Sequence, residues 1–240
     1  MNLKILIRKL LIALHIDLTK NLEYDRLTDV ILKQILKENS NCIDIGCHKG
    51  EILASILKVA PKGKHFGFEP IPYLYNYLIE HFSNKATIYP YALSDVEGKS
   101  KFNIVRKDPA FSGLKVRHYD FENPDIEEII VETKRLDDLI PQNIKIDFLK
   151  IDVEGNEFAV LKGAEYTLKN SKPIIIYENG LGASDYYGTQ PLDVYNFLTN
   201  NIGLKIATLK MFKYKQGSLS ADDYYRIYTN NKDYYFIAYP

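Results

Sequence analysis

Short apolar runs alternate with amphipathic segments along most of this chain, and this alternation limits the folds that the chain can adopt. Strands are predicted at residues 42–45, 64–68, 86–91, 100–105, 129–133, 146–151, 173–177, 205–210 and 234–239. Helices are predicted at residues 25–37, 51–59, 72–82, 157–170 and 191–200. Strands that alternate with helices form a mostly parallel sheet with helices on both faces, so the predicted fold class is α/β.

Two segments depart from this alternation. The last two predicted strands are joined by about twenty residues without a strong helix, which favours an antiparallel pair at the sheet edge. Residues 107–125 have no clear period, and a loop of this length inside a compact domain is usually functional.

The first predicted strand enters a turn with two glycines, at positions 46 and 50, and a helix begins directly after it. Glu69 ends the second strand, 25 positions after Asp44. This layout is typical of a nucleotide-type cofactor site, because glycine allows close approach of the ligand and the acid accepts hydrogen bonds from a ribose. An ordinary strand-to-helix turn has the same local pattern, and the spacing of Glu69 favours the cofactor site.

This turn lacks the pattern of a dinucleotide-binding loop. That pattern has three glycines, whereas the turn has Gly46 and Gly50 with His48 between them. Asp44 would repel a phosphate at the strand end. A ligand with an ammonium group fits better, and S-adenosylmethionine has both an ammonium group and a ribose.

Composition excludes several other classes of function. The 31 basic residues equal the 31 acidic ones, which argues against electrostatically driven nucleic-acid binding. Cys42 and Cys47 are too few for a disulfide framework and are predicted to be buried, reduced thiols. The chain has no Cys/His spacing typical of a metal site, and no metal is predicted.

The first part of the chain, residues 1–39, is predicted to be a helical extension of a domain that covers residues 40–240. The apolar run at residues 10–14 is too short to span a bilayer, and a signal peptide would have a longer one. An amphipathic basic helix fits better. It could lie on a membrane surface, but packing on the domain or on a second subunit is favoured, so a homodimer is possible.

Acidic residues follow four of the predicted strands, at the sheet edge where ligands of α/β proteins bind. Glu69 is expected to bind the ribose and Asp44 to orient the methionine end. Asp152 is expected nearest the sulfonium methyl, with Glu178 beside it. Any one of these acids could instead cap a helix. The adenine is expected to lie against the end of the third strand, Tyr91, Ala92 and Leu93.

These residues belong to an ordered set of motifs that resembles the FkbM family of S-adenosylmethionine-dependent methyltransferases. The similarity covers about residues 40–179, and the block at residues 150–157 is its most specific part. The motifs are Ile43-Asp44-Ile45-Gly46-x-x-x-Gly50, Phe68-Glu69-Pro70, Tyr91-Ala92-Leu93-Ser94-Asp95-x-x-Gly98, Leu136-Asp137-Asp138 and Lys150-Ile151-Asp152-Val153-Glu154-Gly155-x-Glu157.

The resemblance implies a class I methyltransferase fold, a Rossmann-like seven-stranded sheet whose last strand is antiparallel. It implies S-adenosyl-L-methionine as donor, S-adenosyl-L-homocysteine as product and methylation of hydroxyls on sugars or polyketide-like molecules. The family loop usually reads Gly-Ala-Asn-x-Gly, whereas this chain has Cys47 and His48 at its middle positions. His48 could contact the cofactor, act as a general base or have a structural role.

The site residues are predicted in three groups. The catalytic candidates are Asp152, which leads by position, Glu178 and His48, although Asp152 could equally bind the methionine ammonium. The cofactor is expected to contact Asp44, Gly46, His48, Gly50, Glu69, Pro70, Tyr91, Ala92, Leu93 and Asp152. Two loops, at residues 111–121 and 180–188, are candidate lids over the acceptor. The acceptor is expected to contact Ser112, Lys115, Arg117, His118, Tyr119, Glu154 and Tyr186.

The predicted function is therefore transfer of a methyl group to a hydroxyl of a sugar or glycan, of the cell-surface polysaccharide type, by a cytoplasmic enzyme. A polyketide-like or other small molecule, or a nitrogen acceptor, is the alternative within the same chemistry. A nicotinamide-dependent oxidoreductase and a non-catalytic binding module are the alternatives from other classes.

Overall fold

The computed structural model describes residues 19–119 and 122–240. Its strands are β1 (Cys42–Ile45), β2 (His65–Phe68), β3 (Thr87–Tyr89), β4 (Ala92–Leu93), β5 (Gly98–Val105), β6 (Ile126–Lys134), β7 (Phe148–Ile151), β8 (Ile174–Glu178), β9 (Lys205–Thr208) and β10 (Tyr235–Tyr239). Its α-helices are α1 (Lys20–Ile35), α2 (Glu51–Val59), α3 (Pro72–Phe82), α4 (Glu157–Gly163), α5 (Glu165–Ser171), α6 (Pro191–Asn196), α7 (Leu209–Lys213) and α8 (Ala221–Thr229).

The main sheet has seven strands in the order β3-β2-β1-β7-β8-β10-β9. Strand β10 is antiparallel to both of its neighbours, and the pairs from β3 to β8 are parallel. The predicted α/β class, with a mostly parallel seven-stranded sheet and an antiparallel last strand, is thus confirmed. The antiparallel pair at the edge is also present, with β9 as the edge strand and β10 inserted beside β8.

A second sheet of three strands, in the order β4-β6-β5, was not expected from the sequence. Strands β5 and β6 form a long antiparallel pair, and β4 adds to β6 in parallel. The small sheet packs on the first turns of α3 through an apolar cluster, whose buried members are Ile71, Leu74, Ala92, Phe102, Ile104 and Val131.

Two helix predictions need correction. The helix predicted at residues 157–170 is divided between α4 and α5, because Gly163 lies against the backbone of Ser94, where a Cβ would be 2.1 Å from the carbonyl oxygen. The segment between β9 and β10, predicted to lack a strong helix, contains α7 and α8. The hydroxyls of Thr208 and Ser220 cap these helices by accepting hydrogen bonds from backbone amides.

Helix α1 packs on one face of the main sheet and buries Leu27, Ile31 and Leu32 in a cluster that contains Phe148 and Ile176. Both cysteines are buried and free, as predicted. The N-terminal helix expected over the first residues of the chain lies outside the described residues, and so does Phe121. None of the helices in the described ranges is both long and apolar enough to cross a bilayer.

Candidate active site

A cleft runs along the carboxyl ends of β2, β1, β7 and β8, the edge at which α/β proteins bind ligands. It has two chambers, which share Gly46, His48, Ala110, Asp152 and Glu154 in their walls. The smaller one is called the Glu69 chamber. The larger one has a volume of about 800 Å³ and is called the acidic chamber after its carboxylates, Asp44, Asp152, Glu154 and Glu178.

The turn after β1 brings the backbone of Gly46 against the end of β7. Gly46 has a φ of +82°, and a Cβ at this position would lie 1.9 Å from the carbonyl oxygen of Asp152. The backbone amides of Gly46 and Cys47 both donate to the carbonyl oxygen of Phe68, each at 3.0 Å. Glycine is therefore required here both by the left-handed backbone and by the close approach of β7.

Glu69 lies in the smaller chamber with each carboxylate oxygen on a backbone amide. Oε2 accepts from the amide of His48 at 2.8 Å, and Oε1 accepts from the amide of Ile71 at 2.9 Å. Burial raises the pKa of Glu69 to about 7, and the two amides partly oppose this effect. Each oxygen retains a further lone pair, so the carboxylate can still accept hydrogen bonds from a ligand.

His48 holds this arrangement through its backbone. Its φ of +49° is in the left-handed region, where Asn and His are enriched among residues other than glycine. Its imidazole is partly buried, and Nδ1 lies 4.0 Å from a carboxylate oxygen of Glu51. The backbone conformation explains why His can occupy a position at which the similar family usually has Asn.

The walls of the Glu69 chamber contain the residues that the sequence assigned to the adenosine. Pro70, Tyr91, Ala92 and Leu93 all line it. Ser112, predicted to contact the acceptor, also lies in this chamber, and its hydroxyl accepts from the amide of Val105 at 3.0 Å. The structure thus places Ser112 in the Glu69 chamber, away from the other residues that were predicted to contact only the acceptor and that line the acidic chamber.

Asp44 enters the acidic chamber from within β1. Its side chain is 2% exposed, and its Oδ2 has no hydrogen-bond partner in the described part of the chain. Burial raises the pKa of Asp44 to about 7, although the nearby Lys150 opposes this effect. A buried carboxylate oxygen without a hydrogen bond is energetically unfavourable, and a cationic ligand would supply a donor for Oδ2.

Asp152 follows β7 directly and is held by two side chains. Its Oδ2 accepts from Lys150 Nζ at 2.9 Å and from the Tyr235 hydroxyl at 2.5 Å. The ammonium of Lys150 also lies 4.5 Å from the centre of the Tyr235 ring. Burial alone would raise the pKa of Asp152, but the charge of Lys150 and these hydrogen bonds outweigh it and hold the pKa below its usual value.

Glu178, the last residue of β8, shows the opposite behaviour. Burial, the charge of Asp152 and the charge of Glu157 raise the pKa of Glu178 well above its usual value. Carboxylate oxygens of Asp152, Glu154 and Glu178 lie within 4.8 Å of one another. Because Lys150 pairs with Asp152 and Arg117 pairs with Glu154, cations of the protein already compensate part of this negative charge.

The two loops that were predicted as lids bind each other. The amide of Lys115 donates to the Tyr187 hydroxyl at 3.0 Å, and the amide of His118 donates to the Tyr186 hydroxyl at 3.1 Å. Lys115 Nζ also donates to the carbonyl oxygen of Tyr186 at 3.0 Å. The loops therefore form one cross-linked layer beside the acidic chamber.

Most of the predicted site residues meet at the cleft, but three do not line it. Lys115 and Tyr186 connect the two loops. Gly50 begins α2 and faces Leu78 and Phe82 of α3, so its part is in packing. Arg117, His118, Tyr119 and Glu154, which were predicted to contact the acceptor, line the acidic chamber.

Sequence reasoning missed Lys150 and Tyr235 as site residues. Lys150 could have been noticed in the sequence, because a charged residue within an apolar strand is unusual. In the structure Lys150 is buried. Tyr235 carried none, because it lies 83 positions from Asp152 in the sequence.

Comparisons with known proteins agree with this architecture. A family model described as "Methyltransferase FkbM domain" matches residues 44–203. The protein "2-O-methyltransferase NoeI" of Sinorhizobium fredii (strain NBRC 101917 / NGR234) is 27% identical over an alignment of 180 residues, which covers 68% of this chain and 72% of that protein.

A solved structure is similar in fold. The crystal structure of methyltransferase FkbM from Methylobacillus flagellatus KT superimposes with a TM-score of 0.54 and 17% sequence identity. The match covers 85% of this chain and 44% of that one, so this chain corresponds to less than half of the solved chain.

Proposed function

Because the chain belongs to the FkbM methyltransferase family and is an S-adenosylmethionine-dependent methyltransferase, we propose that it methylates a hydroxyl group of a sugar or glycan. The membership confirms the resemblance on which the sequence prediction rested. It also favours methyl transfer over the oxidoreductase and the non-catalytic module. A polyketide-like acceptor and a nitrogen acceptor remain the alternatives within this chemistry.

The residues of the cleft fit the donor at both of its polar ends. We assign Glu69 to the ribose hydroxyls, because its two oxygens are held by amides and retain free lone pairs. We assign Asp44 to the methionine ammonium, because its buried Oδ2 has no partner among the described residues. When bound, S-adenosylmethionine supplies an activated methyl group on a sulfonium centre.

Proton removal from the acceptor is then the task of the protein. The observation that carries the proposal is the pair of acids in the acidic chamber, Asp152 and Glu178, whose carboxylate oxygens lie within 4.8 Å of each other while Lys150 pairs with Asp152. Their pKa values are accordingly shifted in opposite directions. Pairs of carboxyl groups whose pKa values are shifted apart are typical of acid–base sites. Acceptance of a proton from a neutral hydroxyl suits such a pair, whereas an amine acceptor that is already deprotonated does not need it.

The acceptor side of the cleft supports a polar, hydroxyl-bearing acceptor. Arg117, His118 and Tyr119 line the acidic chamber together with the carboxylates. These side chains offer both hydrogen-bond donors and acceptors, as well as an aromatic face. The relative that is named a 2-O-methyltransferase supports oxygen as the acceptor atom.

The test is methyl transfer from S-adenosylmethionine with a labelled methyl group to a panel of saccharides, glycans, polyketides and amines. The expected result is label on a saccharide, as a methyl ether that survives mild base, and its loss in the Glu178→Gln variant. Label on an amine only would contradict the proposal. The exposed variant Glu165→Gln is the matched control, since Glu165 pairs with Lys169 on the surface of α5.

Further expectations from the sequence stay predictions. They are the homodimer, the cytoplasmic location, peripheral membrane contact through the N-terminal residues and the division of the chain at residues 39 and 40. Sedimentation with lipid vesicles, with and without residues 1–18, would test the membrane contact.

A further inference from the structure

We propose that Lys150 and Tyr235 are positioning residues, which fix Asp152 as the anion of the acidic chamber and leave Glu178 as the carboxyl that accepts the acceptor's proton. The proposal rests on the proposed function and assigns the roles of its two acids. The hydroxyl proton moves to a carboxylate oxygen of Glu178. The hydroxyl oxygen forms a bond to the methyl carbon, and the bonding pair of the broken carbon–sulfur bond stays on sulfur as a neutral thioether.

The first argument is the geometry at Asp152. Lys150 is 4% exposed, and its ammonium donates to Asp152 Oδ2 at 2.9 Å. The Tyr235 hydroxyl donates to the same oxygen at 2.5 Å, and Lys150 Nζ lies 3.4 Å from that hydroxyl. Two donors on one oxygen, of which one is charged, stabilise the carboxylate form of Asp152 and weaken it as a base.

The second argument is the proximity of Glu178. Two carboxyl groups this close cannot both ionise easily, so the group with the better cationic partner takes the charge and the other retains a proton more strongly. Lys150 forms an ion pair with Asp152. At Glu178, burial and the charges of Asp152 and Glu157 raise the pKa, and the charges of Lys150 and Arg117 oppose this effect without outweighing it. The asymmetry therefore follows from which carboxyl faces the lysine.

The ionisable groups around the pair come from every neighbouring element. Among the described residues they are Tyr24 and Asp25 of α1, Asp44 of β1, His48 and Glu51 near the first turn, Asp108 after β5, Lys150 of β7, Glu154 after β7, Glu157 of α4, Arg117, His118, Tyr119 and Tyr187 of the two loops, and Tyr234 and Tyr235 at β10. Lys150 and Arg117 are the cations in this set that pair directly with the acid cluster.

Tyr235 is itself held in position by α1. The ring of Tyr24 lies 4.8 Å from the ring of Tyr235 and 4.9 Å from that of Tyr234. The Tyr24 hydroxyl donates to Asp233 at 2.8 Å. The helix that precedes the family match therefore supports the hydroxyl that contacts Asp152, which gives α1 a part in the site.

The test is a pH titration by NMR of the protein with ¹³C-labelled aspartate and glutamate carboxyl groups, which needs no acceptor. Signals are assigned with Asp152→Asn and Glu178→Gln. In the unmodified protein, Asp152 is expected to stay ionised and Glu178 to titrate above it. Lys150→Met is expected to raise the pKa of Asp152 by about one pH unit or more, and Tyr235→Phe by less.

Matched controls are Lys101→Met, in an exposed ion pair with Glu128, and Tyr239→Phe, on the same strand as Tyr235. Neither should move the Asp152 signal. An unchanged Asp152 titration in folded Lys150→Met, or in Tyr235→Phe if the first variant does not fold, would overturn the proposal. So would a Glu178 that titrates below Asp152 in the unmodified protein.

Calorimetry with S-adenosylmethionine separates this proposal from the proposed function. If the donor does not bind while Asp152 and Glu178 titrate as expected, the proposed function fails and the positioning role of Lys150 and Tyr235 stands. Once an acceptor is identified, the pH dependence of the methyl-transfer rate can be measured. Asp152→Asn is expected to move the rise of the rate with pH to lower pH, and Glu178→Gln is expected to abolish that rise.

Discussion

Glu69→Gln is the sharpest single test of the cofactor assignment, because the substitution preserves the shape of the side chain and changes its charge and its hydrogen-bonding character. In the structure, one carboxylate oxygen faces the amide of His48 and the other faces the amide of Ile71. A glutamine offers one oxygen and one NH₂ group, so one of these two buried amides would face a donor. A buried donor without a partner costs about 1–3 kcal/mol.

The effect on ligand binding follows from the same geometry. Lost hydrogen bonds to a charged group are worth about 1.5–3 kcal/mol each, so affinity for S-adenosylhomocysteine should fall by at least about tenfold. The effect on the free energy of unfolding should be smaller. Burial raises the pKa of Glu69 to about 7, and a neutral side chain removes the cost of burying the charge.

The assay is a pair of four-corner calorimetric cycles, one for the 2′-deoxy and one for the 3′-deoxy analogue of S-adenosylhomocysteine, each compared with S-adenosylhomocysteine itself in the unmodified protein and in Glu69→Gln. If Glu69 binds the ribose hydroxyls, the variant should lose little further affinity for the analogues. Glu51→Gln is the control for charge, since Glu51 lies near the same turn and contacts His48. Strictly additive losses for both analogues would refute the ribose assignment.

Two further predictions concern the first turn. The pKa of Asp44 is raised to about 7 by burial, so the ligand ammonium should favour its ionised form and release a proton on binding. Affinity should therefore rise as the pH increases to about 7, and observed enthalpies should differ between buffers of unlike ionisation enthalpy. Equal enthalpies, or a difference that persists in Asp44→Asn, would contradict this. Gly46→Ala places a Cβ 1.9 Å from the Asp152 carbonyl oxygen and should destabilise the fold by more than about 3 kcal/mol in urea unfolding. Gly217→Ala has a similar φ of +87° with no atom near its Cβ and should cost only about 1 kcal/mol, so similar losses would argue against the clash.

The sequence was most informative where short buried strands end in acids. The parallel strands β1, β2, β7 and β8 are read directly from their apolar runs, and their order along the sheet edge brings the predicted carboxylates to one cleft. This worked because a parallel sheet directs all of its strand ends to the same side, so that sequence neighbours of the strand ends become neighbours in space.

The second sheet could not be predicted because its pairing is not local. Strands β5 and β6 are separated by about twenty residues without a regular period, and no tight turn indicates a hairpin. The burial of β6 alternates from residue to residue, with Val131 and Thr133 inside, but its hydrophobicity does not follow this alternation, since Ile130 is exposed. A strand that is mostly exposed gives little information about the partner on which it packs.

Several helix boundaries were predicted wrongly because capping residues and tertiary contacts set where the helices begin and end. The predicted strand at residues 205–210 ends at Thr208, whose hydroxyl accepts from the amide of Met211 and begins a helix at once. Ser220, with Asp222 and Asp223 in the turn that follows it, was a readable helix start. By contrast, the break at Gly163 depends on Ser94, far away in the sequence.

The role of Asp152 could not be predicted from the sequence alone, because its protonation state depends on its contacts with Lys150 and Tyr235. A buried ion pair is usually a weak source of stability, since removing each ion from water costs about several kcal/mol and an apolar pair of the same volume is often equally stable. The ion pair of Lys150 and Asp152 therefore matters mainly because it sets the protonation states of the neighbouring carboxyl groups.

The whole chain has zero net charge, so the electric field in the acidic chamber comes from nearby groups. It depends on which carboxyl group faces Lys150. A carboxyl of raised pKa beside a fixed anion suits the acceptance of a proton from a hydroxyl. Tyr235, a residue from the far end of the chain, adds to the asymmetry that Lys150 establishes.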